Sequence, residues 1–168
     1  MAERRIVTYG EPVLREVSEP IEKIDQEIKD LVSNMSDTLK KAKGLGLSAV
    51  QIGVLKRLFI VDLSAVDITE TLRVFINPEI IATEGEQEME EGCLSFPGIY
   101  QRLTRPGKVK VRATDLDGNE FELEATGLAA RAVLHEYDHL QGVLFIDHMS
   151  PLTRTLLKGR LRKIKTAS

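Results

Sequence analysis

The chain has 168 residues, of which 42% are hydrophobic and 29% are charged, and its formal net charge is −3. A chain of this size buries about two-thirds of its unfolded surface, so we expect one domain over residues 1–168, and the negative net charge argues against specific DNA binding. No apolar stretch reaches the length of a transmembrane helix, so we expect no membrane contact. A single cysteine and no secretory signal at the start favour a reducing compartment, so the chain is expected to be cytoplasmic.

The first predicted element is an amphipathic helix over residues 25–43. Apolar residues recur there at the spacing of one helix face, which predicts that this face is buried in the core. These residues are Ile28, Leu31, Val32, Met35, Leu39 and Ala42. Gly44 follows directly, and we expect it to be the residue that ends the helix.

A glycine-rich stretch then runs from Gly44 to Gln51 with the sequence GLGLSAVQ. Two glycines in this arrangement are compatible with a turn or with a nucleotide-binding loop. The nucleotide interpretation fails because no lysine-serine or lysine-threonine pair follows, and the glycine spacing of a dinucleotide-binding fold is absent. The stretch by itself therefore assigns no function.

Four strands are predicted in the middle of the chain. Residues 57–63 and 72–76 are rich in phenylalanine, isoleucine and valine. Residues 108–114 and 120–125 alternate between apolar and polar, which is typical of strands with one buried face. The sequence Asp117-Gly118-Asn119 between the last two strands indicates a β-hairpin.

An acidic segment precedes the only cysteine of the chain. Residues 84–91 carry five glutamates, four of which we expect in a solvated loop. The fifth, Glu91, opens the sequence EGCLS, which contains Cys93. A lone cysteine cannot form an intramolecular disulfide, so Cys93 is an inert core residue, a nucleophile or a metal ligand. Its neighbour Gly92 permits close backbone approach, and the polar flanking residues argue against simple core filling.

A helix is predicted to begin near Thr126-Gly127, and it contains the sequence HEYDH from His135 to His139. In a helix the two histidines lie about one turn apart on one face, where their imidazoles can bind one divalent metal ion. Such an ion lowers the pKa of a water, and Glu136 can accept and return the proton of that water. The pattern predicts metal-assisted hydrolysis.

Leu128 and Arg131 share the histidine face of this helix. We expect both residues to lie near the metal and to line a pocket for a substrate side chain. The alternative for Leu128 is an ordinary core position. Arg131 is expected to contribute its aliphatic stem while its guanidinium stays in water.

A catalytic metal needs a third protein ligand. The third ligands used by the usual HExxH proteases are absent. Phe145 stands where one pattern requires histidine, and no glutamate occurs in residues 140–168. Asp147 and His148 remain downstream, and each is equally well an ordinary turn residue. Cys93 instead gives a Cys-His-His ligand set that leaves one coordination position for water.

The last predicted element is a basic helix over residues 150–165. Ser150 suits the N-cap and Pro151 the first helical position. Apolar residues follow at helical spacing, namely Leu152, Leu156, Leu157, Leu161 and Ile164. The basic residues are Arg154, Lys158, Arg160, Arg162, Lys163 and Lys165. They are expected on a solvated outer face, and the sharper alternative is that this helix contacts ribosomal RNA.

Three stretches of the chain together resemble the three sequence motifs of the peptide deformylases. They are residues 44–51, 91–95 and 135–139, and their order and wide separation also match over nearly the whole chain. The resemblance implies an α+β fold of mostly antiparallel β-sheets around a central helix that carries HExxH, with N-terminal and C-terminal helices. It also implies that the chain removes the formyl group from N-formylmethionyl peptides, the nascent chains, and releases formate.

The resemblance further implies the roles of individual residues. Cys93, His135 and His139 are the expected ligands of one divalent metal ion, physiologically Fe²⁺, which in a purified sample can be replaced by Zn²⁺, Ni²⁺ or Co²⁺. Glu136 is the expected acid-base residue.

Five further residues receive roles from the same resemblance or from the glycines of the motifs. The carboxamide of Gln51 and the backbone N–H of Leu94 are the expected donors to the oxyanion. Gly46 and Gly92 are expected to expose main chain that pairs with an extended peptide, the alternative being that both merely permit turns. Arg105 is the expected partner of Glu91.

Three positions depart from the pattern of the family. Ser48 stands where alanine is usual, a small-for-small change that is expected to matter little. Leu134 replaces a glutamine found in many members, so a hydrogen bond from that amide is lost. Tyr100 replaces an arginine found in some members, which leaves open how substrate residues beyond the first are recognised.

Two other functions compete with this interpretation. A peptidase that cleaves internal bonds could use the same metal chemistry, although its usual downstream ligand is missing. A non-catalytic module with a structural metal site would need four protein ligands, and only three stand in matching motifs.

Overall fold

The computed structural model describes residues 2–167 and contains antiparallel β-sheets packed with three α-helices, as the family resemblance implies. The helices are α1 (Gln26–Ala42), α2 (Gly127–Leu140) and α3 (Pro151–Ala167). The strands are β1 (Gly46–Ser48), β2 (Leu58–Asp62), β3 (Leu72–Glu84), β4 (Gln87–Gly92), β5 (Tyr100–Arg105), β6 (Lys108–Thr114) and β7 (Glu120–Thr126). The fold is therefore α+β.

Five of the strands form one sheet in the order β1-β2-β3-β6-β7, and each neighbouring pair is antiparallel. The short strand β1 lies at the edge of this sheet, where Gly46 pairs with Val61. The predicted hairpin at Gly118 joins β6 and β7 in unbroken register. Strands β4 and β5 form a separate two-stranded sheet.

Helix α1 confirms the predicted element but ends differently from the prediction. Its N-cap is Asp25, whose side chain accepts a hydrogen bond from the N–H of Ile28. The left-handed residue at the C-terminal end is Lys43, with φ of 57°, and not Gly44. The reason for glycine at position 44 is space, because a Cβ there would lie 2.8 Å from Cδ1 of Leu94. Gly44 therefore does not provide the left-handed residue that the prediction assigned to it.

Residues 87–91 of the acidic segment belong to strand β4 and not to the predicted loop, although the four glutamates expected to be solvated are exposed. Residues 87–92 pair with residues 100–105 across a six-residue ladder. Side chains alternate along β4, so Glu88 and Glu90 are exposed while Glu91 is buried. The sequence shows no apolar alternation here, because the inward-facing side chains include Gln87 and Glu91, which are polar. This strand sets the position of Glu91 and of the cysteine that follows.

Helix α2 is buried along most of its length and packs on the five-stranded sheet. Ala130 and Val133 of this helix belong to one buried core cluster with Phe59 and Phe75 of the sheet. Leu134, one of the departures from the family pattern, also lies in this core. Because the helix is surrounded on nearly all sides, its polar side chains must find partners inside the protein.

Helix α3 begins at its predicted N-cap, and only part of its apolar stripe is buried. The hydroxyl of Ser150 accepts a hydrogen bond from the N–H of Thr153. Leu157 and Leu161 are buried in a second core cluster, whereas Leu152 and Leu156 are 69% and 74% exposed. None of the helices within residues 2–167 has the length and hydrophobicity that crossing a membrane requires.

Candidate active site

Three potential metal ligands converge at the end of strand β4 and on helix α2. Sγ of Cys93 lies 3.4 Å from Nε2 of His139, which lies 3.3 Å from Nε2 of His135. The three donor atoms all lie within 4.8 Å of one another. A single ion with bonds of about 2.0–2.3 Å to sulfur and nitrogen can bridge atoms at such separations. The structure thus brings together the three ligands that the sequence predicts.

The protonation of the two imidazoles also suits a bound cation. Burial opposes a charge on His135, but the neighbouring Cys93 and Glu91 outweigh it and raise the pKa of His135 well above its usual value. Burial and the charge of His135 together lower the pKa of His139 well below its usual value. The charge of His135 disfavours a second positive charge on His139, so the buried pair favours one positive charge in total. A divalent cation among Cys93, His135 and His139 would replace that charge, so the donor set fits a metal.

Glu91 orients the imidazole of His135 by contacting its Nδ1. Its Oε2 lies 2.6 Å from Nδ1 of His135, and Arg105 donates two hydrogen bonds of 2.7 Å to its carboxylate. Burial raises the pKa of Glu91, but the hydrogen bonds from Arg105 and His135 outweigh burial and hold the pKa well below the usual range. The ionised carboxylate accepts the Nδ1 proton and leaves Nε2 of His135 to face Cys93. The predicted partnership of Glu91 with Arg105 is confirmed.

Arg131 corrects the prediction that its guanidinium stays in water. The residue is 2% exposed, and Nη1 donates to Oε1 of Glu91 at 2.7 Å. Nη2 donates to the backbone carbonyls of Leu103 and Gln87 at 2.9 and 3.1 Å. The physical reason is the buried carboxylate of Glu91, which a sequence pattern does not place. Arg131 still borders the cavity described below, as predicted.

The downstream acidic and histidine residues do not join the metal ligands. His148 and Arg105 both contact Oδ2 of Asp138, at 2.8 and 3.0 Å. Asp147 pairs with Arg15 at 2.6 Å and accepts a hydrogen bond from a backbone N–H of the same turn. These contacts fit the interpretation of Asp147 and His148 as structural residues.

Glu136 lies beside the three ligands with its carboxylate between two residues of strand β1. The hydroxyl of Ser48 lies 2.9 Å from Oε1 of Glu136. On the other side, a Cβ at Gly46 would lie 3.0 Å from both Cγ and Oε2 of Glu136. Burial raises the pKa of Glu136, although His135 and the Ser48 hydroxyl act in the opposite direction. A buried carboxylate with a raised pKa is suited to accept and return a proton.

Gln51 is also held in one orientation. Its Oε1 accepts the backbone N–H of Ser48 at 2.9 Å, so the amide group must point the other way. Nε2 donates to the hydroxyl of Ser95 at 3.1 Å and lies 3.7 Å from Sγ of Cys93. The predicted donor therefore faces the metal ligands. Sequence reasoning missed Ser95, although it stands at the end of the same five-residue motif as Cys93.

A cavity of about 310 Å³ opens over these residues. Gly46, Gly92, Leu128 and Arg131, the four predicted substrate contacts, all line it. Leu128 is 39% exposed, which excludes the alternative of an ordinary core position. A Cβ at Gly92 would lie 2.6 Å from the ring of Tyr100, so glycine there allows the exposed tyrosine to form part of the cavity wall.

Comparison with known proteins identifies relatives of the whole chain. A family model described as Polypeptide deformylase matches residues 3–155. The chain is 48% identical to a peptide deformylase of Acidobacterium capsulatum over 98% of its own length and 96% of the relative. It is 52% identical to one of Clostridium botulinum over 88% and 97% of the two chains.

Comparison of the fold with solved structures agrees with the sequence comparison. The fold matches the crystal structure of a peptide deformylase from Legionella pneumophila with a TM-score of 0.91 and 42% identity, covering 99% and 97% of the two chains. The crystal structure of a peptide deformylase from Thermus thermophilus matches with a TM-score of 0.91 and 34% identity, covering 99% of each chain.

Proposed function

Because the chain belongs to the polypeptide deformylase family, we propose how its residues carry out that family's reaction. Enzymes of the family are metal-dependent hydrolases that remove the N-terminal formyl group from newly made polypeptides. The chain is such an enzyme. The observation that carries the proposed site is the convergence of Cys93, His135 and His139 next to the buried carboxylate of Glu136.

Sγ of Cys93 and Nε2 of His135 and of His139 would hold one divalent ion. The mutual distances and the hydrogen bond from His135 Nδ1 to Glu91 support this assignment. We propose Fe²⁺ as the physiological metal and expect Zn²⁺, Ni²⁺ or Co²⁺ in samples purified in air, because Fe²⁺ next to a thiolate is readily oxidised. When bound, the metal would lower the pKa of a water and supply a Lewis acid for the formyl group.

Glu136 is the acid-base residue of the proposed reaction. It takes a proton from the water that attacks the formyl carbon, then returns a proton to the nitrogen of the departing amine. Formate leaves and the peptide keeps a free N-terminus. The burial and raised pKa of Glu136 support this role, as does its place on the cavity wall beside the metal ligands.

Two donors of this chain would stabilise the negative charge that develops on the formyl oxygen. One is the carboxamide Nε2 of Gln51, whose orientation is set by the hydrogen bond from the Ser48 backbone to its Oε1. The other is the backbone N–H of Leu94, which follows Cys93 directly and lines the same cavity. Donors held rigidly before the reaction stabilise a transition-state charge better than mobile water does.

The substrate would lie as an extended chain between the two glycine segments. Gly46 belongs to an edge strand whose sheet partner lies on one side only within the described residues, so its other edge can accept a further strand. Gly92 borders the cavity from the opposite segment. Leu128 and the stem of Arg131 would contact the methionine side chain. Backbone pairing binds peptides of many sequences, which suits an enzyme that acts on nascent chains.

We also propose that α3 contacts the ribosome and that the protein works in the cytoplasm. Arg154, Lys158 and Arg162 are exposed on α3, against the acidic character of the whole chain. A variant with glutamine at these three positions keeps the buried Leu157 and Leu161. We expect weaker co-sedimentation with ribosomes at low salt. Unchanged co-sedimentation would contradict the contact.

One competing function is disfavoured by the ligand count of the site, and the other is tested by experiment. A closed structural site needs four protein ligands, and within residues 2–167 the cluster supplies only Cys93, His135 and His139. Cleavage of internal bonds uses the same chemistry, and digestion of casein would reveal it.

The decisive experiment measures formate release from formyl-Met-Ala-Ser by protein reconstituted with Fe²⁺ without oxygen. Glu136→Gln is assayed beside the wild type, and mass spectrometry monitors internal cleavage. Formate from the wild type alone, with the peptide otherwise intact, supports the proposed roles. Activity retained in Glu136→Gln would overturn the role of Glu136. Cys93→Ser is expected to weaken metal binding, and unchanged binding would overturn the ligand set.

A further inference from the structure

The buried hydroxyl of Ser48 contacts Glu136 twice. It lies 2.9 Å from Oε1 and 3.0 Å from the backbone carbonyl oxygen of the same residue. Ser48 is 0% exposed and Glu136 is 4% exposed, so water does not compete for these contacts as it would on the surface. The single proton of this hydroxyl is thus shared between the side chain and the main chain of Glu136.

These contacts restrict the rotation of a flexible side chain. A glutamate has three rotatable side-chain bonds, and fixing its far end to its own backbone selects one arrangement of them. Helix α2 holds the backbone of Glu136, and strand β1 holds Ser48. The position of the carboxylate is therefore determined by the packing of α2 against β1.

The contact also makes the two carboxylate oxygens different. Oε1 is engaged by Ser48, whereas Oε2 lies on the side of Gly46, where Gly46 and Glu136 both line the cavity. The backbone N–H of Ser48 meanwhile fixes Oε1 of Gln51. Ser48 thus contacts both Glu136 and Gln51, the side chains to which we assign proton transfer and oxyanion stabilisation.

We propose that Ser48 is a positioning residue, whose hydroxyl holds Oε1 of Glu136 so that Oε2 is the oxygen that exchanges protons in the cavity. The inference rests on the proposed role of Glu136. It also replaces the expectation that serine in place of alanine at this position matters little. Small displacements of a group that transfers a proton have large effects on rate, because the reacting atoms must lie about 3 Å apart.

The test compares Ser48→Ala with Ser18→Ala in steady-state formate release. Ser18 is a matched control, because its hydroxyl is also buried but has no hydrogen-bond partner within residues 2–167. We expect kcat of Ser48→Ala to fall about 10-fold or more with KM changed less than about 2-fold, since only the chemical step loses an interaction. Ser18→Ala should keep the kcat of the wild type. Metal content and Tm are measured for both.

A double variant separates positioning from general damage to the site. In the background of Glu136→Gln, Ser48→Ala should change the residual rate little, because the group that it positions is already inactive. An equal loss in both backgrounds would overturn the inference, as would a kcat of Ser48→Ala equal to that of the wild type. Full activity of Glu136→Gln would instead overturn the proposed role of Glu136, on which the inference rests.

Ser48→Cys keeps the experiment decisive if Ser48→Ala does not fold or bind metal. Cysteine fills a similar space but donates only a weak hydrogen bond. A reduced kcat of Ser48→Cys with unchanged metal content supports the inference. A kcat equal to that of the wild type would overturn it.

Discussion

Oε2 of Glu91 lies 2.6 Å from Nδ1 of His135, so a carboxylate on a β-hairpin determines which nitrogen of a helical histidine faces the metal ligands. The same carboxylate forms ion pairs with two buried arginines, Arg105 and Arg131. Glu91 therefore links the geometry of the site to the stability of the fold, and the two effects can be measured separately.

Glu91→Gln should damage both properties. Loss of the carboxylate leaves Arg105 and Arg131 less well compensated, and we expect a loss of about 3 kcal/mol or more in the free energy of unfolding. Metal affinity should fall about 10- to 100-fold, because outer partners of ligating histidines contribute on that scale. Urea unfolding and competition with a chelator measure the two effects. Glu88→Gln is the control, since Glu88 is exposed on the same strand. Equal behaviour of the two variants would contradict this account.

Gln51→Leu should impair the chemical step. Removal of a positioned oxyanion donor typically lowers kcat about 100- to 1,000-fold, and we expect that range with little change in substrate affinity. The substitution also leaves the backbone N–H of Ser48 without its acceptor, so Tm should fall as well. Steady-state kinetics with matched metal loading measures the effect. Turnover close to that of the wild type would disprove the role of Gln51.

Gly46→Ala should displace the carboxylate of Glu136. The added Cβ would lie 3.0 Å from Cγ and Oε2 of Glu136, closer than ordinary van der Waals contact. We expect kcat to fall about 100-fold, because misplacement by about 1 Å has consequences of that size. Gly159→Ala is the matched control, since an added methyl group there meets nothing within 4 Å. The control should keep activity and gain up to about 1 kcal/mol from helix propensity. Comparable kcat values for the two variants would refute the steric argument.

Asp147→Asn should lower stability at neutral pH but not in acid. Burial raises the pKa of Asp147, but hydrogen bonds from Arg15 and from the backbone N–H of Leu144 outweigh burial and lower it below the ordinary value of 3.8. A carboxyl whose pKa is lower in the folded state stabilises the protein above its unfolded pKa and loses this contribution as pH falls through the folded pKa. Because both side chains are partly exposed, we expect a difference of about 0.5–1 kcal/mol at pH 7.

The difference between the wild type and Asp147→Asn should shrink as pH drops below the ordinary value of 3.8. Urea unfolding over a series of pH values provides the measurement. A difference that does not depend on pH would mean that the ion pair with Arg15 does not contribute.

The sequence predicted the parts of the structure that depend on local patterns. The histidines of α2, the hairpin at Gly118 and the cap at Ser150 each follow from residues close together in the chain. Cys93 was joined to the histidines through its motif and the resemblance to a family, and the structure brings the three donor atoms together.

The remaining features depend on partners far away in the chain. The polar inner face of β4 makes sense only with Arg105 and Arg131, which stand 14 and 40 residues after Glu91. Without these partners the segment has the composition of a solvated loop. Arg131, considered alone, is a residue type expected on the surface. The hydroxyl of Ser48 gains its partner from a residue 88 positions later, so its contact with Glu136 was not predictable from spacing.

Strands β4 and β5 share no ladder with the larger sheet, and a two-stranded sheet is marginally stable on its own. Contacts of Glu91 with Arg131 and His135 connect this hairpin to α2. Coordination of Cys93 together with the histidines of α2 would add a second connection. A bound ion would then act as a reversible cross-link between hairpin and helix. We expect amide hydrogens of residues 87–105 to exchange faster after chelation while those of β2 and β3 change little, so that loss of the ion loosens one part of the molecule before the rest.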